Sequence, residues 1–273
     1  MNTTVRVHVV SDVHGNTDAL ARAGDGADAL VVLGDLLDFV DYHDHSGGII
    51  GRIFGPDAVR RFAQLRSTDI GDLRAYARSL WARLDDPAAV IEHEVRQQYQ
   101  RIFASLTAPT FVTPGNVDMP DLWPEFASDG ITICDGTVAD IGGRRFGFVG
   151  GALIGTEEPV TGQAPHRRGP WLPYVRTPSQ YRAAVDALVA AGGVDVLASH
   201  IPPALPELCY DVLARYPERG SVQLLEFIRT QQPRLAVFGH VHQPLARRMR
   251  VGRTECVNVG HFQRNERPYV LTW

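Results

Sequence analysis

The chain has 273 residues, 44% of them apolar and 21% charged, which is enough for a substantial core in an ordinary globular composition. Its longest apolar runs, such as Ala29 to Leu33, hold about five residues where a membrane span needs roughly 20, so a transmembrane segment is excluded. Against 31 acidic residues stand 27 basic ones, all arginine, and the formal charge of −4 excludes a protein held to nucleic acid mainly by phosphate contacts.

The first ten residues include Arg6 and His8 and lack both an apolar signal core and a small-residue cleavage site, so the expected compartment is the cytoplasm. Short β-branched runs bounded by Gly, Pro, Asp or Asn predict strands at Val5 to Val10 and Ala29 to Leu33. The stretch Asp57 to Leu106 reads as helical: Ile70, Leu73, Ala77, Leu80 and Leu84 share one face, as do Ile91, Val95, Tyr99, Ile102 and Leu106 after a start at Asp86-Pro87. It is expected as an insertion at about 41–107 within a single domain spanning 1–273, its stripes packing in the core, with a cap over the site or a dimer contact as alternatives. Further strands are predicted at Thr110 to Thr113, Ile131 to Cys134, Val138 to Ile141 and Arg145 to Val149, the last two joined through Gly142-Gly143 as a hairpin. Thr177-Pro178-Ser179-Gln180 is a capping box that opens a helix ended by Gly192-Gly193. Strands follow at Val194 to Ala198, Leu235 to Phe238, Leu245 to Val251, Glu255 to Val259 and Tyr269 to Thr272, giving an α/β chain with mixed sheets. Cys134, Cys209 and Cys256 are odd in number and far apart, which excludes a disulfide framework or a zinc ribbon.

Five of these strands run into a metal-ligating residue type: Asp12-Val13-His14, Gly34-Asp35, Gly115-Asn116-Val117-Asp118, His200, and Gly239-His240-Val241-His242. The carboxyl ends of strands converge on one edge of an α/β sheet, so scattered residues can meet there, and the glycines fit turns that bring backbone close to the cluster. Taken singly, each histidine reads as a buried structural residue. Four at such positions, with carboxylates and an Asn oxygen, suit Mn, Fe, Zn, Ni or Mg, and seven ligands fit two ions better than one.

In that order the blocks resemble the calcineurin-like metallophosphoesterase superfamily, whose pattern is D-x-H, G-D, G-N-H-[DE], H and G-H-x-H; Ile201-Pro202-Pro203 after His200 is also similar. The resemblance implies a four-layer α/β/β/α sandwich of two mixed sheets flanked by helices. It implies two divalent ions, Mn favoured, one on Asp12, His14, Asp35 and His242, the other on Asp35, Asn116, His200 and His240, with Asp35 shared. The implied activity is phosphoester hydrolysis by a hydroxide bridging the ions, on a small-molecule or nucleotide substrate, a phosphodiester favoured. Asp35, Asn116, Asp118 and His200 are the residues expected to carry catalysis, Asp118 by orienting ligands. Val117 stands where the pattern has a histidine that protonates the leaving group. The alternatives are a catalytically weak metal-binding scaffold of the same fold, or a nuclease, which the acidic charge disfavours. A protein Ser/Thr phosphatase is disfavoured because Phe39-Val40, not Arg-Gly, follows Asp38.

Other residues stay open between two readings. Asp38 is either a hydrogen-bonding carboxylate behind the site or a solvated one, and His43 and His45 fit a polar surface loop or the pocket. Arg167, Arg168, His166 and Trp171 suit phosphate and ring contacts or a plain loop, and His261 lies either at the site or away from it.

Overall fold

In the computed structural model, which describes residues 4–68, 70–107, 109–156 and 171–273, two sheets stack face to face. The first holds four parallel strands, β1 (Arg6–Val10), β2 (Ala29–Val32), β3 (Thr110–Val112) and β4 (Ile131–Ile133), with β15 (Tyr269–Thr272) antiparallel on the β1 edge. The second has the order β13 (Arg248–Val251), β14 (Thr254–Asn258), β12 (Leu235–Phe238), β9 (Val196–Ser199), β6 (Arg144–Val149) and β5 (Thr137–Ile141). Its inner strands are parallel and its two edge strands antiparallel.

Alternation along the strands makes the layers. Val7, Val9, Val31 and Leu33 point between the sheets to meet Phe146, Phe148, Ala198 and Val237. Their neighbours Val10, Leu30 and Val32 point outward, onto α1 (Thr17–Ala23) and α5 (Pro87–Ala104). On the far side Val149, Leu197 and Ala236 meet Tyr181 and Val185 of α6 (Pro178–Ala190) and Leu224 and Ile228 of α8 (Val222–Gln231). Helix, sheet, sheet, helix is the expected four-layer order.

The local signals act as the sequence reading has them. Thr177 and Gln180 close a reciprocal capping box, Asp86 caps α5 through the Ala89 N–H, and Gly142 and Gly143 both take positive φ in the β5–β6 turn. Within the 41–107 stretch, α5 buries Ile91, Val95, Tyr99 and Ile102 against the first sheet. By contrast α2 (Gly48–Phe54), α3 (Pro56–Thr68) and α4 (Ile70–Trp81) build a satellite core around Ile50, Val59, Phe62 and Leu80. Helix α4 ends at Trp81, short of Leu84.

Some elements differ. The strand expected from Leu245 begins only at Arg248, because the Leu245 and Ala246 N–H groups bond to Tyr210 and Glu207 carbonyls around α7 (Pro206–Cys209) and not to β14. Helices α1 and α8, capped by Asn16 and Ser221, and the short α9 (Phe262–Asn265) were not among the predicted elements. Nor were the two-residue ribbons β7 (Ala152–Leu153) with β8 (Val175–Arg176) and β10 (Tyr210–Asp211) with β11 (Tyr216–Pro217), which are too short to carry a period. No helix among the described residues is long and apolar enough to cross a membrane.

Candidate metal centre

At the carboxyl edge the structure brings all seven predicted ligand positions together. Asp12 and His14 follow β1, Asp35 follows β2, Asn116 follows β3, His200 follows β9, and His240 and His242 follow β12. Asp12, His14, Asp35 and His240 all sit at positive φ, between 41° and 67°. Such conformations cost non-glycine residues energy and persist where the surroundings hold them, a pattern typical of functional loops. The loops after β2 and β3 press together: a Cβ on Gly34 would lie 2.0 Å from the Gly115 nitrogen, and one on Gly115 would lie 2.2 Å from an Asp35 oxygen.

Two groups form around Asp35. On one side the Asp12, His14 and Asp35 ligand atoms lie within 4.8 Å of one another, with His242 Nε2 3.4 Å from His14 Nε2 and 3.5 Å from Asp12 Oδ1. On the other, Asp35, His200 and His240 lie within the same 4.8 Å span, and His200 Nε2 is 3.1 Å from Asn116 Oδ1 and 3.5 Å from Asp35 Oδ1.

The tautomers follow from the backbone. His200 Nδ1 is 2.8 Å from the Leu33 carbonyl and His14 Nδ1 3.1 Å from the Leu37 carbonyl, so each donates from Nδ1 and turns the Nε2 lone pair inward. Those lone pairs therefore face carboxylate and amide oxygens, acceptor against acceptor. A cation between them resolves that conflict, and the donor set of imidazole nitrogens and hard oxygens suits a borderline divalent ion. Burial and the neighbouring His200 lower the His240 pKa to about 4, and burial also lowers that of His14, keeping both rings in the neutral form that ligates. Burial opposes ionisation of Asp12, but His242, with His200 and His14, holds its carboxyl well below the usual range.

Asp118 acts through the loops. It is 1% exposed; one oxygen accepts the Leu36 and Leu37 N–H groups at 3.0 and 3.3 Å and the other the Gly115 N–H at 2.8 Å. It thus ties the loop carrying Asp35 to the one carrying Asn116. Burial, then the nearby Asp35, raises its pKa. The Val117 N–H donates to Asp35 Oδ1 at 2.9 Å, while its side chain lines the cavity.

His261 lies at the site. It follows β14, is 4% exposed, stacks on His242 with centroids 3.7 Å apart, and meets His14 edge-on at 5.6 Å. His43 also lines the cavity, and Trp171 stacks on Phe39 there at 4.2 Å. His166, Arg167 and Arg168 lie outside the described residues. Sequence reasoning missed Glu218, whose carboxylate is 3.9 Å from His240 Nε2, and Arg66, which reaches the cavity from α3. It also missed Asn258, whose amide holds the Gly239 and Val241 carbonyls of the His240 loop. A lone Glu or Arg in a charged stretch carries no pattern to find it by.

Asp38 is half-buried, accepts the Gly48 N–H, and is pushed up to about 7 by burial and then by Asp41. A carboxyl that binds its proton more tightly when folded favours the fold below its unfolded pKa of about 4, and that contribution is lost as pH rises through 7. The Tm of wild type is therefore expected to fall relative to Asp38→Asn between pH 5 and 8. Parallel falls in calorimetry of the two proteins would remove Asp38 as the cause.

The calcineurin-like phosphoesterase family model matches residues 5–244. One solved structure, 19% identical, is similar over 99% of this chain and 95% of its own with a TM-score of 0.64. The protein TT1561 of Thermus thermophilus, 16% identical, is similar over 98% of this chain and 99% of its own with a TM-score of 0.58. At these identities the likeness is one of fold. No curated protein matches the sequence.

Proposed function

The chain belongs to the calcineurin-like phosphoesterase family, which supports metal-dependent phosphoester hydrolysis, and on that premise we propose a dinuclear phosphodiesterase acting on a small-molecule or nucleotide diester. The observation that carries the reading is the pair of ligand groups sharing Asp35, with inward lone pairs facing oxygens. Asp12, His14, Asp35 and His242 would hold one divalent ion and Asp35, Asn116, His200 and His240 the other, with Mn favoured. Bound there, such ions supply Lewis acidity toward phosphoryl oxygens and make water a competent nucleophile near neutral pH.

The protein's own part is to position and to shape. Asp35 is oriented by the Val117 N–H, His14 and His200 by backbone carbonyls, and the loops between them by Asp118. Two cavities, of about 430 and 490 Å³, flank the centre and share Asn116, Glu218 and His240. Room on both sides favours a phosphorus with two ester substituents over a monoester. The first cavity is lined partly by Phe39, Tyr42, Phe62 and Trp171, which suits an apolar or ring-bearing substituent. A cytoplasmic setting is part of the same proposal.

Leaving-group chemistry tests it. With Val117 in the donor's place, bis(4-nitrophenyl) phosphate is expected to be hydrolysed readily with Mn²⁺, because nitrophenolate departs without a proton, and glycerol phosphate much more slowly. Val117→His is expected to raise kcat on alkyl leaving groups about tenfold and on nitrophenyl ones little, since protonation matters most where the leaving oxygen is most basic. No turnover of any diester with added Mn²⁺ would favour the inactive scaffold. Equal gains on both leaving groups would mean that position 117 acts through packing.

A further inference from the structure

We propose that His261 is an additional metal ligand, so that the Asp12 side of the centre is a three-imidazole site; this rests on the dinuclear reading above. One ligand atom each of His14, His242 and His261 lies within 4.8 Å of the others, and His14 also belongs to the group formed with Asp12 and Asp35. His261 is 4% exposed, yet its Nε2 is buried without a hydrogen-bond partner. A buried polar atom left so costs about 1–3 kcal/mol unless something binds it, and the ring that carries it lies against the other two imidazoles.

The placement is built from both sides. Strand β14 runs parallel to β12, so its carboxyl end delivers His261 to the edge that holds His240 and His242. Just before it, Gly260 turns at φ 102° with its N–H on Asn258 Oδ1 at 2.9 Å, the same Asn258 that holds the His240 loop. Just after it, the Phe262 and Gln263 N–H groups bond to the Ser11 and Asp12 carbonyls at 2.9 and 3.0 Å, and Gln263 Nε2 bonds to the His14 carbonyl at 3.1 Å. Backbone on each side of His261 is thus fastened to the loops that carry the other ligands of this side. A ring merely filling space needs no such double tether.

The consequence is unequal subsites. Three nitrogens and two carboxylates favour borderline ions such as Zn²⁺, Fe²⁺, Co²⁺ or Mn²⁺ over Mg²⁺, whereas the side with Asn116, His200 and His240 has two nitrogens and two oxygen donors.

Titration of metal-stripped protein with Mn²⁺ and with Co²⁺, followed by calorimetry and visible absorption, tests this. Wild type is expected to bind two ions. Both His261→Ala and His261→Phe should weaken one of the two binding events at least about tenfold and change the Co²⁺ spectrum, with the other event little altered. The phenylalanine variant preserves the stack on His242 without the nitrogen, and circular dichroism reports whether each variant folds. Two ions bound with wild-type affinity by either variant would overturn the ligand role, a normal His261→Phe beside a weakened His261→Ala assigning the residue to packing. Wild type that binds no ion would overturn the dinuclear reading together with this proposal.

Discussion

Replacing Asp35 by Asn is expected to lower kcat/KM on bis(4-nitrophenyl) phosphate by more than about 100-fold and to reduce bound metal, with the far-ultraviolet circular dichroism unchanged. Changes outside a metal's own ligands already cost about 10- to 100-fold, and Asp35 is the group both ligand clusters share, its oxygens 3.9 Å from His14 Nε2 and 3.5 Å from His200 Nε2. The substitution is mild for the fold. Asn keeps an oxygen to accept the Val117 N–H, and it tolerates the left-handed backbone, φ 50°, better than most residues. What it removes is charge, along with an oxygen that becomes an N–H donor. Metal content by elemental analysis and the steady-state rate together check the result. Wild-type activity with two ions per chain would remove Asp35 from the centre.

The candidate ligand positions were legible because each stands directly after a short buried strand, where a β-branched run gives way to Gly and a polar residue. Val7, Val9 and Val31 read as strand, and the parallel pairing of β1 with β2 then carries Asp12 and Asp35 to the same edge. His261 was harder to read: only the pairing of β14 with β12 and the tether of Phe262 to Ser11 bring it in, and neither has a local signal. The same holds for α5. Its stripe marks a core helix, but nothing in the stripe says that Gln98 holds the Asp38 backbone at both its N–H and its carbonyl, or that the Tyr99 hydroxyl lies 3.5 Å from Asp118. Part of the helical stretch after β2 is therefore a brace for the centre, while α3 contributes Phe62 and Arg66 to the cavity wall. Long-range register, not composition, decides such roles.

Asp118 shows what that bracing is worth. Asp118→Ala would leave the Leu36, Leu37 and Gly115 N–H groups without their acceptor in a buried place, and each buried donor left so costs about 1–3 kcal/mol. Even with partial relaxation, a loss of about 3–5 kcal/mol is expected, a fall in Tm of roughly 10 °C for a chain of this size. Asp118→Asn should fall between the two, since one carbonyl oxygen can still serve Leu36 and Leu37 while the amide N–H₂ meets the Gly115 donor. Function should follow geometry and not chemistry. If Asp118 acts through the loops, the variants should lose metal affinity, and excess Mn²⁺ should recover most of kcat below the lowered melting temperature. A carboxylate that took part in the reaction itself would leave kcat depressed at saturating metal, and a change in stability below about 1 kcal/mol on removing it would show that the loops are held by something else.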